Sequence, residues 1–161
     1  MTYPQIMTIG LYGRDEDGFF QALIAAQVDL FCDIRQRRGV RGAQYAFANS
    51  LRLQQRLTDL GIAYLHCKDL APTLEVRAVQ READQTDKTA KRARGMLSPA
   101  FIEAYRRECL QDFSAQEFLS QLPHSPHAIA FFCVETAPEA CHRSVVAETF
   151  AHQLDRPIRH L

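Results

Sequence analysis

Short apolar runs recur along this 161-residue chain with amphipathic stretches between them, and this alternation narrows the fold more than any other feature. Residues 5–11, 28–34, 62–66 and 127–134 each read as a buried strand, because they are too short and too uniformly apolar for a surface helix. Between the first two, Phe19, Phe20, Leu23 and Ile24 fall at helical spacing within residues 15–27. A second helix is expected from a cap at Asn49 or Ser50 to Leu60, stopped by Gly61. A last helix is expected over residues 140–154, with a short final strand over 157–160. Strands and helices in strict alternation imply right-handed crossovers and parallel pairing. The expected class is α/β: a single domain with a mainly parallel sheet flanked by helices, a Rossmann-like three-layer arrangement.

The middle of the chain breaks the rhythm. Residues 73–94 are polar and helix-favouring, with Arg77, Arg81, Lys88, Lys91, Arg92 and Arg94 among several acids. They read either as a solvated helix and loop or as a polar lid, spanning about 68–97, over the strand ends. Ser98 then caps an amphipathic helix through Phe101, Ile102, Tyr105 and Cys109, and a short helix over 115–122 ends before Pro123 and Pro126.

Charge and cysteine usage exclude several functional classes. Nineteen basic residues balance nineteen acidic ones, so nothing pulls the whole molecule toward nucleic acid or anionic membrane. No apolar run approaches the ~20 residues of a membrane span, and Met1-Thr2-Tyr3-Pro4 does not read as a signal peptide. Five cysteines, at 32, 67, 109, 133 and 141, follow no secreted framework. Reduced thiols and a cytoplasmic setting are the expectation.

Chemistry-bearing residues gather after the predicted strands, which in an open parallel sheet is where ligands bind. Asp33 and Arg35 end the second strand, and His66 ends the third. Residues 34–56 hold six arginines, Arg35, Arg37, Arg38, Arg41, Arg52 and Arg56, and no acid. Arginine favours bidentate recognition of phosphate or carboxylate, although a solvated basic loop has the same composition. The densest cluster follows the fourth strand: Cys133 and Glu135, then Cys141-His142-Arg143-Ser144 at the start of the last helix. A helix starting there would aim its dipole at an anion beside Arg143 and Ser144. Thr136 and Glu139 also match a capping box, which would start the helix near Ala137 and weaken that argument. Each cysteine reads as a small apolar filler or as an activated thiol, Cys141 gaining from His142 and Arg143. Zinc on the two thiols with His142 or His66 is compatible in principle. The spacing is not a C-x₂-C knuckle, however, and adjacent Cys141 and His142 would point apart on a helix. No metal and no cofactor are therefore assigned.

Together these residues resemble a bacterial and archaeal family, domain of unknown function 488 (DUF488), over nearly the whole chain. The resemblance is carried by Thr8-Ile9-Gly10; by Asp33-Ile34-Arg35 followed by Arg38, Arg41 and Phe47; and by Tyr64-Leu65-His66. Leu70 to Pro72 then leads to Glu75 and Arg77, and the strongest part is Cys133-x-Glu135 with Cys141-His142-Arg143-Ser144. It departs where Gly10 continues as Leu11-Tyr12-Gly13 rather than with the family's usual polar residues. The resemblance implies an α/β fold and a shared polar site, and attaches no activity.

The leading expectation is a cytosolic enzyme acting on an anionic substrate, phosphate-bearing or nucleotide-like. Cys133, Glu135, Cys141, Asp33 and His66 are its candidate catalytic residues. Arg35, Arg38, Arg41, Arg77, His142, Arg143 and Ser144 are its candidate substrate contacts. The alternatives are a non-catalytic nucleic-acid or nucleotide-binding module and a thiol-based redox or metal sensor. A small anionic molecule is the expected partner, nucleic acid is admitted and membrane is not; the oligomeric state is left open.

Overall fold

The computed structural model of the protein describes residues 2–88 and 95–161. Five strands form one sheet: β1 (Gln5–Ile9), β2 (Leu30–Asp33), β3 (Ala63–His66), β4 (Ala128–Phe132) and β5 (Ile158–His160). Their order is β3-β2-β4-β1-β5, and every pairing is parallel. The helices are α1 (Glu16–Ala25), α2 (Ser50–Asp59), α3 (Leu74–Thr86), α4 (Pro99–Tyr105), α5 (Ala115–Ser120) and α6 (His142–Leu154). The alternation read from sequence is thus the alternation observed. Of the expected lid, α3 accounts for the first half; residues 89–94, with Lys91, Arg92 and Arg94, lie outside the described residues.

Helix boundaries follow local chemistry. Asp15 Oδ1 accepts from Gly18 N at 2.7 Å to start α1, and Ser98 Oγ accepts from Phe101 N at 3.1 Å to start α4. Asn49 is the N-cap of α2, but its Oδ1 accepts from Val40 N at 2.7 Å instead, tying the arginine-rich loop to the helix start. The α2 helix ends at Gly61, whose φ of +72° is the left-handed turn a glycine makes without strain.

Two neighbouring phenylalanines show how the layers form. Successive strand residues face opposite sides of the sheet. Phe132 meets Phe19 of α1 at 5.5 Å and Phe31 at 5.1 Å, whereas Phe131 meets Phe150 of α6 at 4.7 Å. The α2 helix joins α1 on the Phe132 face, where the Arg56 guanidinium lies 5.3 Å from the Phe20 ring. The α5 helix joins α6 on the other face through Phe118 and Phe150. Both faces of β4 are therefore covered and its five residues are all buried, which explains the unbroken apolar run. Among the described residues no helix is long and apolar enough to cross a membrane.

This order positions the site. The central pair is β2 and β4, with Asp33 in register with Phe132. From β2 the chain turns to the α1–α2 face, and from β4 it turns to the α6 face. Diverging connections leave a crevice beyond the carboxyl ends of the two strands, the usual ligand position in open α/β sheets.

Candidate functional site

Cys133 follows the last residue of β4, and its backbone N–H still donates to Ile9 O at 3.4 Å. The chain then turns through Glu135, makes a short 3₁₀ turn at Pro138–Ala140 and enters α6 with Cys141 as its N-cap. The start is not near Ala137: Thr136 Oγ1 donates to Tyr12 O at 3.0 Å and does not cap a helix. At φ −135° and ψ 145° Cys141 is extended, while His142 is the first helical residue. This corrects the expectation that the two side chains point apart. Cys141 Sγ lies 3.8 Å from His142 Nδ1, and the sulfurs of Cys133 and Cys141 with a His142 ring nitrogen all lie within 4.8 Å of one another.

The cluster floors a pocket of about 290 Å³. Its walls carry Arg37 from the loop after β2, Arg77 and Arg81 from α3, and Leu97 and Phe101 from around the start of α4. Two carboxylates, Asp84 and Glu135, share it. Residues 77, 80, 81 and 84 form one face of α3, since residues three and four apart on a helix are neighbours. Gln80 locks that face: Ser98 N donates to its Oε1 at 2.9 Å and its Nε2 donates to Asp84 Oδ1 at 2.7 Å.

The two thiols differ in acidity. Cys133 is pushed well above the ordinary thiol range, first by its hydrogen bond to Cys141 and then by burial and the charge of Glu135. Burial acts on Cys141 in the same direction, but the Cys133 hydrogen bond, the His142 ring and the Arg143 charge outweigh it and carry this thiol well below the usual range. Cys133 Sγ also donates to Glu135 Oε2 at 3.7 Å.

Other predicted residues reach the carboxyl edge but not the pocket. Arg35 clamps Asp33 with a two-point fork, Nε to Oδ1 at 2.8 Å and Nη2 to Oδ2 at 2.7 Å, and its guanidinium lies 4.7 Å from the centre of the Phe132 ring. Tyr64 donates its hydroxyl to Asp33 Oδ2 at 2.8 Å, and burial first of all pushes its phenol up to about 12. Arg38 reaches this tyrosine at 3.4 Å. His66 Nε2 donates to Arg35 O at 2.7 Å and faces a separate groove with Lys68 and Asp112. Arg41 is exposed on the loop. Arg143 is 1% exposed and turns away from the pocket: it donates to Glu135 O at 2.6 Å and Thr136 O at 3.1 Å. Ser144 Oγ donates to Cys141 O at 3.0 Å. Arg37 and Arg81, both exposed where they line the pocket, were absent from the predicted contacts, because nothing in a solvated-looking run marks which arginines border a cavity.

A family profile described as domain of unknown function DUF488 matches residues 16–150. The chain belongs to the DUF488 family. No curated protein and no solved structure matches it. The match takes in both halves of this DUF488 site, the α3 arginines and the Cys133–Ser144 segment, and leaves out only β1 and its loop at one end and the close of α6 and β5 at the other.

Proposed function

We propose that this protein is a cytoplasmic enzyme acting on a small anionic substrate, phosphate-bearing or carboxylate. The observation that carries the reading is the pocket itself. Arginines 37, 77 and 81 from two separate elements meet over a buried floor of Cys133, Glu135, Cys141 and His142. Small-molecule sites are concave and largely apolar with a few converging polar groups, and Leu97, Phe101 and Pro72 supply the apolar part here. The half-buried Arg77 would hold the anion by a charge-assisted hydrogen bond, contributing about 1.5–3 kcal/mol when sheltered from water, and the exposed Arg37 and Arg81 would add less. In the metal-free chain the reacting group would be the Cys141 thiolate, with Glu135 and His142 beside it to move protons. Five free cysteines fit a reducing compartment.

Calorimetric titration with inorganic phosphate, a phosphomonoester and a nucleoside monophosphate tests the reading. At least one should bind, and Arg77→Ala with Arg81→Ala should weaken it tenfold or more, about 1.4 kcal/mol. Equal affinity in the double variant, or no binding by the parent chain, would sink the proposal. The exposed Arg41 and half-exposed Arg38 favour the rival reading, a nucleic-acid-binding module. A salt-dependent affinity for RNA or DNA, kept by the double variant and lost with Arg38→Ala and Arg41→Ala, would replace the enzyme reading with that one.

A further inference from the structure

We infer that the pocket floor is a zinc site, in which Cys133 Sγ, Cys141 Sγ and His142 Nδ1 are three ligands and the fourth position opens toward the arginines. Tetrahedral zinc, with bonds of about 2.3 Å to sulfur and 2.0–2.1 Å to nitrogen, sets its ligand atoms roughly 3.5–3.8 Å apart. The Cys141 sulfur and His142 Nδ1 already stand at 3.8 Å, and the three donors lie within 4.8 Å of one another. A small inward movement of Cys133 completes the face of a tetrahedron.

The histidine is set up for this task. Its Nε2 lies 3.1 Å from Ile34 O, and a carbonyl only accepts, so Nε2 carries a proton. In the neutral ring that a metal binds, Nδ1 is then the lone-pair nitrogen, on the side of the Cys141 sulfur. Metal-ligating histidines characteristically donate the other ring N–H to a backbone carbonyl or carboxylate, which fixes the tautomer and the ring angle. Tyr105 holds the imidazole edge-on at 5.6 Å, and its own hydroxyl donates to Leu70 O. The ligands are also rigidly mounted: Cys133 directly follows the central strand, and Cys141 caps the 13-residue helix that His142 begins.

Charge and ligand type point to the same ion. Both sulfurs bind as thiolates, any thiol proton passing to solvent, and two thiolates neutralise a divalent cation, so the buried complex carries no net charge. Thiolate and imidazole together select zinc over magnesium or calcium. Glu135 Oε2, at 3.7 Å from Cys133 Sγ, flanks the cluster where it can accept a proton from water or substrate at the fourth position. That role rests on the anion-pocket reading; the zinc site itself does not. With zinc in place the thiolates are ligands rather than nucleophiles.

The test uses the full chain stripped by a chelator, with cobalt and zinc as probes. One equivalent of Co(II) should give thiolate charge-transfer bands and the intense visible bands of tetrahedral cobalt, and zinc should bleach them. Zinc should also slow iodoacetamide labelling of Cys133 and Cys141 but not of Cys109, read by mass spectrometry on the unaltered chain so that no variant has to fold. Cys141→Ser should weaken zinc at least a hundredfold, and Cys109→Ser should leave it unchanged. No charge-transfer band at stoichiometric cobalt, or equal zinc affinity in Cys141→Ser, overturns the site. Zinc uptake without phosphate or phosphomonoester binding upholds the metal and removes the anion pocket; anion binding without zinc uptake removes the metal alone.

Discussion

Two buried guanidinium groups hold the carboxyl edge of this sheet together. Arg35, 4% exposed, is neutralised by Asp33, which is 0% exposed, and Tyr64 satisfies a further lone pair of the carboxylate. Removing one partner of a buried pair strands the other charge, at a cost of about 3–5 kcal/mol. Asp33→Ala should therefore lower the unfolding free energy by that much in a urea titration, and a change under about 1 kcal/mol would mean that water reaches Arg35. Arg143 does the same work on backbone carbonyls 135 and 136. A lysine keeps the charge but not the planar fork, so Arg143→Lys should destabilise the fold by about 1–3 kcal/mol, visible in the same unfolding curve. The thiols give a chemical prediction. Cys141, held well below the ordinary thiol range, lines the pocket, whereas burial first of all raises Cys32 well above it. In metal-free chain Cys141 should label with iodoacetamide faster than Cys32 at neutral pH. Its rate should also fall only at a lower pH than that of an ordinary thiol, since a thiolate persists until the pH drops through its lowered pKa. Equal, slow labelling of both would leave Cys141 a packing residue.

Among the elements, α6 is the one whose start is chemically unusual. Its N-cap is a cysteine that makes no capping hydrogen bond, because Sγ faces Cys133 and His142 instead. Serine at an N-cap accepts from a first-turn N–H and stabilises helices by about 0.5–2 kcal/mol relative to non-capping residues. Cys141→Ser should accordingly raise the thermal midpoint while abolishing fast labelling; a lower midpoint would show that the thiol cluster outweighs the cap. The end of β1 has the opposite character. A Cβ at Gly10 would collide with Glu135 O and stand 3.1 Å from Arg143 Nη2. Gly10→Ala should therefore destabilise the fold by about 1–3 kcal/mol and shift the Glu135 loop, read by unfolding together with a change in Cys133 labelling.

At the scale of the whole molecule, β4 joins the halves: it pairs with β1 on one side and β2 on the other, and its loop carries the pocket floor. Phe132 packs against Phe19 and Phe31 and beneath Arg35, so Phe132→Ala should cost about 3–5 kcal/mol of unfolding free energy. The α/β class, the parallel pairing and nearly every element were legible in the sequence, because short apolar runs and the 3.6-residue period are local properties that survive in a linear chain. Ser98 as a cap and Gly61 as a helix stop were legible for the same reason. So was the enrichment of chemistry in Cys133, Glu135, Cys141 and His142, since one strand–loop–helix unit supplies all four. What could not be read was direction. Arg143 sits between a cysteine, a histidine and a serine and reads as a ligand residue, yet Gly10 leaves space beneath it and two carbonyls claim its fork. Arg35 reads as an anion clamp and is spent on Asp33. Arg81 reads as solvated and stays exposed, yet it lines the pocket because α3 folds back over the β4 loop from more than 50 residues upstream of Cys133. Local sequence determines backbone conformation because the interactions that set it lie within a few residues; which side chains meet depends on long-range packing, which only the assembled sheet and its covering helices decide.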